Sequence, residues 1–166
     1  RIQKYEPCSG YVQFMFIDLC PQSFYGLYDW WGIPKKGLQA ILESNAPVGV
    51  FAKHKDHLDS LYIVNDTDGA LGECELTWIM TETLNGELVE KGSVKAEVPA
   101  DSRVMVKTFE KEYGKGKKWN LTLILSDNSG KCMAKNTYQD ICTLLSRVDG
   151  HPDRMSHEFG MRLYWA

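Results

Sequence analysis

From residue 72 onward the chain alternates. In GECELTWIMTETL, Cys74, Leu76, Trp78 and Met80 share one face, while Glu73, Glu75, Thr77 and Ile79 share the other. That period of two predicts a half-buried strand. Asn85-Gly86 is a strong short hairpin signal and leads into ELVEKGSVKAEV. SRVMVKTFE alternates again, with Val104, Val106 and Thr108 against Arg103, Met105 and Lys107. VGVFAK and DSLYIVND precede these segments, and WNLTLILSD and KCMAKNTY follow them. The intervening turn signals are Asn65 to Gly69, the Gly/Lys run YGKGKK, and Asp127 to Gly130. About seven strands at roughly ten-residue spacing predict a mainly β fold, an immunoglobulin-like antiparallel sandwich of two sheets.

The residues before Pro47 follow another pattern. Tyr-Val-Gln-Phe-Met-Phe-Ile, 11–17, is an almost unbroken apolar run between Gly10 and Asp18. It reads as a strand buried on both faces, as in a parallel sheet. Pro21, Gly26, Gly32 and Pro34 break the loop that follows. PKKGLQAILESN then predicts a helix with Pro34 in its first turn, Leu38, Ile41 and Leu42 on one face, and Asn45 as its stop. The last thirty or so residues differ again. A helical turn is expected at 139–147, before Gly150 and Pro152, and the apolar ending Met161, Leu163, Tyr164 and Trp165 is expected to pack back on the protein. Three parts result: 1–45, 46–135 and 136–166.

Composition adds little. The 166 residues are 43% hydrophobic and 25% charged, with a net charge of -3, so nothing favours nucleic acid or an anionic membrane surface. No apolar run reaches the roughly 20 residues of a membrane helix. A start at Arg1, without an initiator Met or a signal-peptide pattern, points to a chain processed or cut from something longer. Its compartment stays open: periplasmic or secreted if a longer parent carries a signal peptide.

The chemistry-bearing residues are sparse. Cys8, Cys20, Cys74, Cys132 and Cys142 form no CxxC, so zinc has little support and most are expected to be buried or semi-buried free thiols. His54 and His57 are spaced HxxH, but a strand or loop does not bring such a pair onto one metal, and solvated histidines are expected. No metal or other cofactor is expected. No GxSxG, P-loop or Cys-His arrangement occurs, and no two carboxylates stand on a common scaffold for glycoside hydrolysis. Lys115-Gly116-Lys117-Lys118 reads as a turn. The aromatic cluster Phe24, Tyr25, Tyr28, Trp30 and Trp31, near Asp18 and Asp29, suits either a sugar face or the packing of a strand on its helix.

The stretch GYVQFMFIDLCPQSFYGLYDWWGIPKKGLQAI resembles the end of the catalytic barrel in family 2 glycoside hydrolases, which include β-galactosidases, β-glucuronidases and β-mannosidases. The resemblance rests on Gly10 to Asp18, Cys20-Pro21, and Asp29-Trp30-Trp31-Gly32-Ile33-Pro34-Lys35, and it continues through the sandwich to about residue 135. It is nearest the β-mannosidase-like branch. It implies that 1–45 is the last strand–helix unit of a (β/α)₈ barrel, joined to an immunoglobulin-like domain. The family's catalytic carboxylates come from earlier barrel strands, the acid/base within an Asn-Glu dipeptide, and this sequence has no such dipeptide. The implied function is a non-catalytic region that supports the barrel of an exo-glycosidase and is inactive alone. Its partners would be the other domains of the parent chain and the parent's carbohydrate substrate. Asp18, Cys20, Trp30 and Trp31 would line the substrate pocket, with Ile17 replacing the usual Asn and Cys20 standing where an aromatic is common. The alternative is an independent carbohydrate-binding module with Trp78 or Trp119 as its platform. A strand at 11–17 without neighbours would pair with a second copy or pack back on the sandwich.

Overall fold

The computed structural model describes residues 1–2, 10–22, 25–54 and 57–141. One helix, α1 (Lys36–Ser44), precedes seven strands: β1 (Val48–His54), β2 (Leu58–Asn65), β3 (Gly72–Glu82), β4 (Leu88–Val98), β5 (Ser102–Thr108), β6 (Trp119–Asp127) and β7 (Cys132–Ile141). They form two antiparallel sheets, ordered β1-β2-β5 and β4-β3-β6-β7. This is an immunoglobulin-like sandwich in which the fourth strand pairs with the third, so it lies in the four-stranded sheet.

Alternation is what makes these segments strands. Cys74, Leu76, Trp78 and Met80 of β3 face inward together with Leu121, Leu123 and Leu125 of β6, and they meet Val50, Leu61 and Ile63 of the facing sheet. Each fully buried Leu contributes about 1.5–3 kcal/mol by leaving water, so this interface is the main reason the sheets hold together. The register places Leu76 opposite Leu125 and Met80 opposite Leu121, and a slip of one residue would turn every one of these outward. A shift in the β2–β5 register near Tyr62 leaves Thr108 exposed, although Val104 and Val106 pack against the core as expected.

Two tight connections shape the ends of the sandwich. At Asn65 the side-chain amide donates to the carbonyls of Gly69 and Pro99, both at 2.8 Å, and its oxygen accepts from Thr67 N and Oγ1. One buried side chain thus joins the β2–β3 turn to the β4–β5 turn. The Gly/Lys run lies in the connection between β5 and β6, where Lys115 pairs with Glu112 and Lys117 with Glu82 at 3.2 Å.

Several expectations are corrected. Residues 11–17 are not a strand: their one regular pairing is an isolated parallel bridge between Ile17 and Tyr28. Val12 is 94% exposed and Phe14 and Phe16 are also exposed, because no neighbouring strand among the described residues covers them. Pro34 lies outside α1, whose N-cap is the extended Lys35, while Asn45 is the C-cap as expected. Leu38 and Ile41 are half-buried, but Leu42 faces out, and no helix residue is fully buried. The boundary at 135/136 falls inside β7, so residues 139–141 are strand instead of helical turn. The remainder of that turn and the apolar ending lie outside the described residues.

Candidate functional site

The segment carrying the family resemblance folds into a small hydrogen-bonded unit. Lys35 N donates to Leu27 O at 2.8 Å and Asp29 N to Ile33 O at 2.9 Å, so 27–35 forms a short hairpin. Asp29 shapes its tip: one carboxylate oxygen accepts from Trp31 N at 2.9 Å and from Ile33 N at 2.8 Å. An aspartate in this position mimics a backbone turn. The tip projects Trp30 and Trp31 outward, 50% and 69% exposed.

Behind the hairpin sits Asp18, only 2% exposed. Its Oδ1 accepts from Gly26 N at 2.8 Å and its Oδ2 pairs with the Lys35 ammonium. Its own N–H donates to Tyr28 O at 3.1 Å. The Lys35 hydrogen bond, more than any other influence, holds the Asp18 carboxyl below the usual carboxylate range, against the opposing effect of desolvation. Gly26 has to be glycine, since a Cβ there would lie 2.6 Å from Tyr28 O and 2.7 Å from Asp18 N, and against Asp18 Oδ1 as well.

The predicted pocket residues therefore divide. Trp30 and Trp31 stand together on the surface, and Cys20 is an exposed free thiol. Asp18 faces inward with both oxygens engaged. The alternative platform does not exist: Trp78 is 5% exposed and Trp119 is fully buried, so neither offers a ring face to a sugar. Trp78 packs edge-on to Phe109, and Trp119 edge-on to His54.

The thiols and imidazoles also depart from expectation. Cys74 is buried, and burial raises its thiol pKa, but Cys132 is exposed like Cys20, and Cys8 and Cys142 lie outside the described residues. His54 is wedged between Trp119 and Tyr138, with ring centroids 5.7 and 5.5 Å away, and burial lowers its pKa. His57 is half-buried, not solvated. Composition gave no sign of either environment, and that of His54 arises where β1 meets β6 and β7.

A wider feature was missed as well. Tyr11, Val12, Phe14, Phe16, Leu19 and Tyr25 add to Trp30, Trp31 and Ile33 a set of large apolar side chains left exposed before the sandwich begins. The apolar run in the sequence announced a need for burial. It did not say whether this chain would supply the cover.

No protein-family model matches the chain, and no curated protein sequence does. Solved structures do match. The exo-chitosanase CsxA of Amycolatopsis orientalis superposes with a TM-score of 0.65 at 19% identity, over 76% of this chain and 15% of that one. The exo-β-D-glucosaminidase CsxA, in a structure from a study of its inhibition by a glucosamine-configured castanospermine and an amino-australine analogue, gives 0.70 at 19% identity, over 81% and 16%. A β-D-mannosidase from Dictyoglomus thermophilum gives 0.61 at 18% identity, over 77% and 16%. These neighbours are family 2 glycoside hydrolases. The chain has a fold found within such enzymes. At this level of identity the fold is what is shared, and the chain spans about one-sixth of their length.

Proposed function

We propose that this chain is the C-terminal, non-catalytic region of a family 2-like exo-glycosidase. In this reading residues 10–45 are the last strand–helix unit of its barrel and the sandwich buttresses that barrel. The observation that carries the reading is the bare apolar surface around Val12, Phe14, Phe16 and Trp31 beside a sandwich that has closed its own core. A surface of that kind marks a contact with something else. The preceding barrel strands are the natural cover, since a strand buried on both faces in a parallel sheet has this composition. Trp30 and Trp31, on the loop after that strand, are then placed toward the end of the barrel where such enzymes put their chemistry. Hydrolysis itself belongs to carboxylates of the missing strands, and burial of Trp78 and Trp119 weighs against an independent carbohydrate-binding module.

The test uses the purified chain. It is expected to bind an anionic naphthalene dye and to self-associate through 11–17, with no turnover of p-nitrophenyl β-mannoside, β-glucosaminide, β-galactoside or β-glucuronide. Turnover would overturn the reading. A silent dye with a chain that stays monomeric would too, because the chain itself would then cover its apolar face.

A further inference from the structure

Asp18 touches both feet of the Leu27–Lys35 hairpin at once. One carboxylate oxygen holds the Gly26 amide, just before the first arm, and the other holds the ammonium of Lys35, which ends the second arm. Lys35 is also tied by its backbone, its N–H donating to Leu27 O at 2.8 Å. The base of the hairpin is thus closed by a backbone hydrogen bond and by a carboxylate bridging its two sides. At the other end, Asp29 fixes the tip that carries Trp30 and Trp31.

The Asp18 side chain has no exposed surface, and that of Lys35 is 24% exposed. A sugar hydroxyl approaching Asp18 would have to displace the Gly26 amide or the Lys35 ammonium, each a charge-assisted contact and so among the stronger hydrogen bonds. Gly26 packs directly against the Asp18 backbone and carboxylate, so the tie is a close one. We propose that Asp18 is a positioning residue: it acts through Gly26 and Lys35 to preset the outward placement of Trp30 and Trp31, and does not itself touch carbohydrate. This deepens the reading of Trp30 and Trp31 as pocket residues and rests on it. Its test uses no sugar, so its failure is distinct from failure of that reading.

The experiment is amide exchange and indole N–H resonances on the full isotope-labelled chain at neutral pH. Asp18→Asn is nearly isosteric. It keeps an acceptor for Gly26 but turns the group facing Lys35 into a donor. Lys35→Met removes the ammonium, and Lys35→Arg restores a cation. Asp18→Asn and Lys35→Met are expected to speed exchange at Trp31 and Ile33 by about tenfold or more, as local opening becomes easier. The Trp30 and Trp31 indole signals shift, those of Trp78 and Trp119 stay in place, and Lys35→Arg brings the first pair back. Acceleration confined to Gly26 would reduce the ion pair to a local tie and overturn the proposal. So would a shift shared by all four indoles, or no recovery with arginine.

Discussion

The Tyr138 hydroxyl on β7 accepts a hydrogen bond from the backbone N–H of Ala52 on β1, 2.9 Å away and in the other sheet. Asn136, two residues earlier, donates from its amide to Val50 O at 3.0 Å and to Tyr138 Oη at 3.1 Å. Both β1 and β7 are sheet edges, so these side chains satisfy backbone groups that no strand pairs. Tyr138→Phe keeps the ring and strands the half-buried Ala52 N–H. Urea unfolding should show a loss of about 1–3 kcal/mol, the cost of an unsatisfied buried donor. An unchanged midpoint would mean that water replaces the hydroxyl at that edge.

Gly92 on β4 lies directly across from Trp78 on β3. A Cβ there would come within 2.8 Å of Trp78 Cη2, and nearer still to Cζ2. Gly92→Ala should therefore destabilise the sandwich by about 1–3 kcal/mol through overpacking, although alanine is otherwise acceptable in a strand. Trp78→Phe in the same chain should recover part of the loss. A double-mutant cycle with no coupling would refute the steric origin.

His54 predicts how stability responds to acid. Burial between Trp119 and Tyr138 lowers its folded pKa below the ordinary 6.5. The unfolded chain then binds a proton at a pH where the folded chain does not, so stability is whole above pH 6.5 and declines as pH falls toward the folded value. His54→Gln should flatten that part of the profile. A slope equal to that of the parent protein would assign the proton to another group.

Arg1 links the two parts of the molecule. Its guanidinium donates to Ser44 O and to the Asp66 carboxylate, each at 2.6 Å, and lies 5.2 Å from the centre of the Phe51 ring. It meets α1 at the negative end of the helix dipole. Arg1→Ala should cost about 1 kcal/mol or less of global stability, because Asp66 is partly exposed. Amide exchange should quicken in the last turn of α1 and leave the β3–β6 ladder unaffected.

The sandwich was legible because its strands alternate in polarity and are separated by clear turn signals. Cys74 to Met80 alternate, Asn85-Gly86 turns, and β4 follows at once. Residues 11–17 carry the same need for burial without a local partner, so periodicity named their composition and missed their conformation. Asp18 was read as a pocket residue, and nothing in IDLCP reveals that its carboxylate turns back toward Lys35, seventeen positions on. Trp119 and His54 were beyond reach for a related reason. Their contact depends on how two sheets meet, and no single segment records that.

The Asn65 side chain spends both amide hydrogens on the carbonyls of Gly69 and Pro99. Asparagine is a chemically impermanent residue, because its amide hydrolyses to a carboxylate with time and heat. Here that conversion would set a negative charge against two carbonyl oxygens at the junction of two turns. Loss of that one amide would undo both ties between the turns at once.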